Sequence, residues 1–252
     1  MSQTVLSRRS VGVRTLSLNR PDRLNAINST LLADLKAALQ TANADPETKV
    51  VVLRGEGRAF CAGDDLKDFE HQKGTEAETR AYIESIQDIT RAIVLGDKMV
   101  VGAIHGWAVG GGLEWMINCD LAILAEGTRC FFPEVSLGVF VTGGVTRLLP
   151  ATVGLMKARE MILFGERFDA GQALEMGLAW KLVPEADLAA EAESTARRIA
   201  ALPEHAVAAL KRVLARAPGL DLEAAMGLET EATVRGFLHP ETAAIIARFG
   251  QE

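Results

Sequence analysis

The segment "AVGGGLEWMINCDLA" (residues 108–122) holds three consecutive glycines, and three residues past the middle one a carboxylate, Glu114, sits inside an otherwise apolar run. Upstream, "MVVGAI" (99–104) is an apolar run of the buried-strand type. Downstream, "DLAILA" (120–125) reads the same way, and the residues between form a short helix reaching about Asn118. Strand, glycine turn, helix and strand make the repeating unit of an α/β domain with parallel pairing and right-handed crossovers.

The N-terminal side repeats the pattern. "VGVRTLSLNRP" (11–21) alternates Val11, Val13 and Thr15, continues through Leu16 and Leu18, and stops at Pro21, which reads as one half-buried strand. Leu31, Leu32, Leu35, Ala38 and Leu39 fall at helical spacing behind Asn28 and Ser29, either of which can cap, and that helix ends near "ADPE" (44–47). "KVVVLRGEG" (49–57) is a buried strand stopped by glycine, and a long loop from Arg58 leads to a helix with a core-facing stripe of Tyr82, Ile86, Ile89 and Ile93. After about residue 150 alanine-rich segments (169–179, 187–202, 203–217, 221–238) read as successive helices, with one short strand near "AWKLVP" (179–184). Such a helical tail packs against a neighbouring subunit or against its own domain.

The 252 residues, 48% of them hydrophobic, suffice for a large core. A net charge of −6 with scattered Lys and Arg leaves no basic stripe for nucleic acid or anionic lipid. Cys61, Cys119 and Cys130 have neither disulfide-framework nor zinc spacing, which fits a reducing compartment. With no secretory-type h-region at the N-terminus and no apolar run approaching the roughly 20 residues of a membrane helix, the expectation is a cytoplasmic protein without membrane contact.

Glycines that open a helix let a ligand approach the backbone, where unpaired N–H groups and the positive dipole end favour negative charge. The dinucleotide fingerprint is excluded, because residues 110–115 read G-G-G-L-E-W with no third glycine in register. A second glycine loop, "GRAFCAGDDLKDF" (57–69), again follows a buried strand. If the two loops face each other, one N–H from each can grip a single oxygen, the arrangement that stabilises the enolate-like charge of a thioester carbonyl. Glu114, one helical turn past Gly111, can then point at the adjacent carbon, and Glu134 in "FFPEVSLG" (131–138) supplies a second carboxylate in an apolar setting. Taken singly, each feature also has a plain reading: close helix-to-strand packing for the glycines, a helix-dipole partner in Glu114, a turn residue in Glu134. The four histidines (71, 105, 205, 239) are far apart in sequence and read as surface or hydrogen-bonded residues. Cys61 reads as packing, and Trp107 and Trp115 as core, with the lining of an acyl pocket as the sharper option for the two tryptophans.

"FCAGDDLK", "HGWAVGGGLEWMINCDLAI" and "FFPEVSLG", in that order, with "NRPDRLNAI" upstream and "FDAGQALEMGLAWKLVP" downstream, resemble the enoyl-CoA hydratase/isomerase (crotonase) superfamily over nearly the whole chain. The resemblance implies an α/β crotonase-like spiral of ββα units over residues 1–195 and a C-terminal helical trimerisation region over 196–252, assembled as a homotrimer or a dimer of trimers. It implies an acyl-CoA thioester as substrate, with coenzyme A as part of that substrate and neither a separate cofactor nor a metal. By position, the oxyanion donors match the N–H groups of Asp64 and Gly111, and the acid/base carboxylates match Glu114 and Glu134. Coenzyme A contacts match Arg23, Leu24, Ala26, Ala62 and Asp65, with Lys67 near the phosphate or pantetheine part.

Three departures from the family pattern stand out. "LGVFVTGG" (137–144) is one residue shorter than the usual loop and lacks its proline, the chain ends at "IIARFGQE" without the usual basic tail, and Asp64 replaces a commoner small residue. Hydration of a 2-enoyl-CoA is the expected reaction. Double-bond isomerisation is the alternative, kept open by the shortened loop. A thioester-binding protein without catalysis is disfavoured by carboxylates at both positions, and a nucleic-acid binder on the same fold by the acidic balance.

Overall fold

The structure is a computed structural model that describes residues 3–67 and 74–249. It opens with an antiparallel hairpin, β1 (Val5–Ser10) and β2 (Val13–Leu18), with Val5 opposite Leu18 and Ser10 opposite Val13. Its two-residue turn places Val11 at φ 43° and Gly12 at φ 77°, the left-handed pair that a right-twisted hairpin demands. The strand expected from Val11 is β2, and β1 before it is a strand that the sequence reading missed. A β-branched residue holds a turn position usually given to Asn or Gly, and this hid the break.

Asn28 caps α1 (Ser29–Ala44), accepting from the Leu31 N–H, and Leu31, Leu32, Leu35 and Leu39 are buried beneath it. After β3 (Val50–Gly55), a Thr75–Glu78 capping box starts α2 (Glu76–Val94), whose Ile86, Ile89 and Ile93 face inward with Tyr82 partly buried. Then follow β4 (Met99–Ile104), β5 (Trp107–Val109), α3 (Gly111–Asn118), β6 (Leu121–Ala125) and β7 (Arg129–Phe131). The chain continues through α4 (Val145–Val153), α5 (Leu155–Phe164), β8 (Phe168–Asp169), α6 (Ala170–Glu175) and β9 (Lys181–Val183). Four helices complete it: α7 (Leu188–Ala200), α8 (Glu204–Arg216), α9 (Leu222–Phe237) and α10 (Pro240–Phe249).

The main sheet runs β1-β2-β3-β4-β6-β9 and is parallel from β2 onward; a small second sheet runs β5-β7-β8. Leu16, Leu18, Val51, Leu53 and Ile104 meet the apolar sides of α1, α2 and α3 in the larger core. Val13, Val50, Val52, Val101 and Ile123 point the other way, onto Leu188, Ala192 and Ala196 of α7. The expected boundary at residue 195 thus lies inside a helix that covers the sheet. Lys211 anchors α8: it is 3% exposed, and its ammonium donates to Asp120 Oδ2 and to the Lys98 carbonyl, both at 2.7 Å. In α9 no described residue is buried, and Phe237 at its end is exposed together with Leu222 and the following Leu238. No helix among the described residues is long and apolar enough to cross a membrane.

Candidate active site

The loop after β3 returns between two neighbours. Cys61 N–H donates to the Trp107 carbonyl and Val109 N–H to the Cys61 carbonyl, each at 3.0 Å, which ties it to β5. On its other side Ala62 N–H reaches the Leu24 carbonyl, Ile27 N–H the Gly63 carbonyl and Asp65 N–H the Ile27 carbonyl, at 2.8–3.0 Å. The two glycine loops, distant in sequence, therefore flank one cleft of about 700 Å³ lined by Asp64, Gly111, Glu114 and Glu134 together with apolar residues such as Ile86 and Phe140.

Close approach explains all three glycines. Gly110 has φ 51°, and a Cβ there would lie 2.5 Å from Glu134 Oε1; one on Gly111 would meet Ile27 Cδ1 at 2.6 Å, and one on Gly112 would strike the Cys61 carbonyl. Gly111 is the first residue of α3, so its N–H is one that the helix itself leaves without an acceptor. The packing reading of the triplet is the one these contacts bear out.

The two glutamates have unlike surroundings. Glu114, 1% exposed, receives the Thr142 N–H at Oε1 and the Thr142 hydroxyl at Oε2, both at 2.6 Å. Burial raises its pKa, the two Thr142 bonds oppose that rise, and the Asp64 charge adds to it. Glu134 follows Pro133 at the start of a 3-10 turn (Val135–Leu137), and among the described residues its buried Oε2 has no hydrogen-bond partner. Burial pushes its pKa up to about 7, with the Glu114 and Asp64 charges contributing further. Asp64 is thus a third carboxylate at the cleft, with the Tyr82 hydroxyl 3.3 Å from its Oδ1.

Of the residues matched to coenzyme A contacts, Leu24 is joined to Ala62 by a backbone bond, and Ala26 to Asp65 through Arg20. Arg23 closes a 3-10 turn (Pro21–Arg23), Leu24 is left-handed at φ 50°, and Ala26 is buried beside Ala62 and Asp65. Asp65 is held by an Arg20 ion pair at 2.9 Å, Arg20 also bonds the Ala26 carbonyl, and Lys67 is exposed. Only Ala62 and Asp65 of this set also line the cleft with the glutamates.

A family profile described as enoyl-CoA hydratase/isomerase matches residues 8–242. The chain belongs to the enoyl-CoA hydratase/isomerase family. It is 31% identical over 233 residues to the 1,2-epoxyphenylacetyl-CoA isomerase of Escherichia coli, covering 92% of this chain and 89% of that one. It is also 31% identical over 221 residues to a short-chain-enoyl-CoA hydratase of Clostridium acetobutylicum, covering 87% and 84%. The solved enoyl-CoA hydratase of Bacillus anthracis superposes with a TM-score of 0.93 at 30% identity, covering 99% and 96%. The crotonase-type α/β fold with C-terminal helices, expected from the motifs, is the fold observed.

Within this enoyl-CoA hydratase/isomerase chain, other residues read from sequence fall elsewhere. Cys61 is fully buried with its thiol pushed up to about 12, which leaves it no thiolate for nucleophilic work. Neither Trp107 nor Trp115 lines the cleft; Trp115 is core, and Trp107 meets Phe131 edge-on beneath the Arg167 guanidinium. His105 is buried against the Gly57 carbonyl, and His71 lies outside the described residues, as do residues 68 and 69 of the second glycine loop. His205 and His239, far apart in sequence, stack at 3.8 Å beside Glu241 on a separate groove between α8 and α9. Sequence reading missed Thr142 and Asn118. A signal for Asn118 was there: it is a polar residue four positions after Glu114, on the same face of a short apolar helix.

Proposed function

We propose that the chain is an enoyl-CoA hydratase, adding water across the 2,3 double bond of a 2-enoyl-CoA thioester. The observation that carries this reading is the presence in one cleft of two glutamates with unlike hydrogen-bond surroundings: Glu114 receives two donors from Thr142, whereas Glu134 Oε2 has no partner among the described residues, which supports one as base and the other as acid. The N–H groups of Gly111 and Asp64 hold the thioester oxygen as negative charge develops on it. Ionised Glu114 takes a proton from the water that attacks C3, and protonated Glu134 delivers one to C2. Arg23, Leu24, Ala26, Ala62, Asp65 and Lys67 form the rim for the coenzyme A portion, which belongs to the substrate. The proposal includes a cytoplasmic homotrimer or dimer of trimers, supported by the apolar residues that α9 leaves exposed.

Double-bond isomerisation is the second reading, kept open by the shortened loop over residues 137–144 and by a family that spans enoyl-CoA hydratases and isomerases. It needs one proton-moving carboxylate, whereas hydration needs two. Wild-type, Glu114→Gln and Glu134→Gln proteins are therefore incubated with 2-enoyl-CoA and 3-enoyl-CoA esters, and the hydroxyacyl product is measured directly. Hydration predicts hydroxyacyl-CoA from the wild type and losses of about 10²-fold or more in both variants. No hydroxyacyl-CoA from any 2-enoyl ester, with 3-enoyl ester converted and only one glutamate required, replaces it with isomerisation.

A further inference from the structure

The loop that departs most from its family, residues 137–144, makes a contact to the acid/base pair through a side chain. Thr142 engages both oxygens of Glu114 at once, by its amide and by its hydroxyl, at 2.6 Å each. Thr142 is itself held on both sides. Its carbonyl accepts the Val145 N–H in the turn into α4, and the next residue, Gly143, gives its carbonyl to Asn118 Nδ2 at 2.8 Å. Asn118, 4% exposed, receives in turn the Thr90 hydroxyl of α2 at 2.8 Å. Glu114 and Asn118 stand one turn apart on α3, so a single helix face grips two consecutive loop residues. Gly143, at φ 61°, leaves no room for a side chain beside Glu114, which keeps the loop and the carboxylate in contact.

We propose that Thr142 is a positioning residue: backed by the Asn118–Gly143 and Thr90–Asn118 bonds, its hydroxyl and amide fix the Glu114 carboxylate in one orientation as the proton acceptor and leave proton donation to Glu134. This rests on the two-glutamate reading above. Two donors on one carboxylate favour its charged form, while at Glu134 one bond from its own backbone N–H does so and Oε2 has no partner among the described residues. The charged groups that act on this pair are Asp64, on the loop after β3, which acts on both, and Glu114, which acts on Glu134. A carboxylate has about four lone-pair sites, so Glu114 keeps acceptor capacity for the reacting water.

The test compares wild type with Thr142→Val, which keeps the amide and the shape but loses the hydroxyl, and with Thr142→Ser, which restores it. On a turned-over ester, Thr142→Val should lower kcat about tenfold to a hundredfold with KM little changed, and should move the acid limb of the pH–rate profile to higher pH. Thr142→Ser should recover both. The second readout needs no turnover: the Glu114 carboxyl is titrated by ¹³C NMR in glutamate-labelled protein, with its signal assigned by loss in Glu114→Gln. A higher pKa in Thr142→Val supports the proposal even if every enoyl ester proves inert and the hydratase reading falls. An unchanged Glu114 titration overturns it while leaving hydration intact. So does a loss of kcat that Ser leaves unrescued and that brings no pH shift, because that pattern marks a loop anchor. Should Thr142→Val fail to fold, Thr142→Ala enters the same titration with the same two outcomes.

Discussion

Burial raises the pKa of both Glu114 and Glu134, and what sets the two apart is what each carboxyl touches: the Thr142 bonds oppose the rise at Glu114. Because Glu134 keeps its proton to about pH 7, kcat/KM for hydration should fall as pH rises through that value, and a pH–rate profile checks it. Stability moves the same way. Between the ordinary carboxyl value of 4.5 and about 7 the folded chain holds a proton that the unfolded chain has released, so folding weakens as pH climbs through this window. Glu134→Gln should flatten that fall, seen as a smaller loss of Tm from acid to neutral pH. Asp64→Asn keeps the N–H and removes a charge that raises both glutamates, so the alkaline limb should move to lower pH; a limb that stays put assigns the elevation to burial and the Glu114 charge. Glu114, Glu134 and Gly111 stood out in the sequence because carboxylates in apolar settings and glycines before helices are chemically conspicuous, whereas Asp64 came from the resemblance to the family motif; the fold places all four on one cleft. Thr142 did not stand out, since a threonine before two glycines is ordinary and only folding brings it to Glu114, whereas Asn118 carried a signal, one turn past Glu114 on the same helix, that went unread.

At the scale of elements, the parallel strands and the capped helices declared themselves by periodicity; α4, α5 and α10 went unread, and the strands that were missed failed for two different reasons. Strands β5, β7 and β8 span three, three and two residues, too short for an alternating pattern to register. Hairpin β1–β2 hid behind Val11, an apolar residue in a left-handed turn. Helix α8 depends on a charge that its sequence does not advertise. Lys211 is an ordinary helix residue until the fold buries it on Asp120 and the Lys98 carbonyl. Lys211→Met should therefore strand Asp120 without its cation and cost about 3–5 kcal/mol, the range for breaking a buried pair from one side. Urea unfolding reads this directly. Exposed pairs such as Arg80–Glu76 supply the contrast, and Arg80→Ala should stay below about 1 kcal/mol.

For the molecule as a whole, the sequence showed an α/β body and a helical tail, and left open whether the tail packs on a neighbour or on its own domain. The structure divides that answer. Helix α7 belongs to the body, with Leu188, Ala192 and Ala196 on the sheet, whereas α9 leaves Leu222 and Met226 exposed and is followed by the exposed Leu238. Periodicity could not separate the two, because both helices are alanine-rich and modestly amphipathic. If α9 is an interface, Leu222→Glu combined with Leu238→Glu should reduce the mass found by light scattering to that of one 27.0 kDa chain; an unchanged mass moves the interface elsewhere. The position of α7 also sets an order of events during synthesis. Strands β2, β3, β4 and β6 leave the ribosome before the helix that covers their second face, so Val13, Val52, Val101 and Ile123 wait uncovered until residues 188–200 emerge. The nascent chain is then a half-clad sheet, the kind of intermediate that chaperones shield, and its vulnerable interval ends when a helix near the far end of the message is translated.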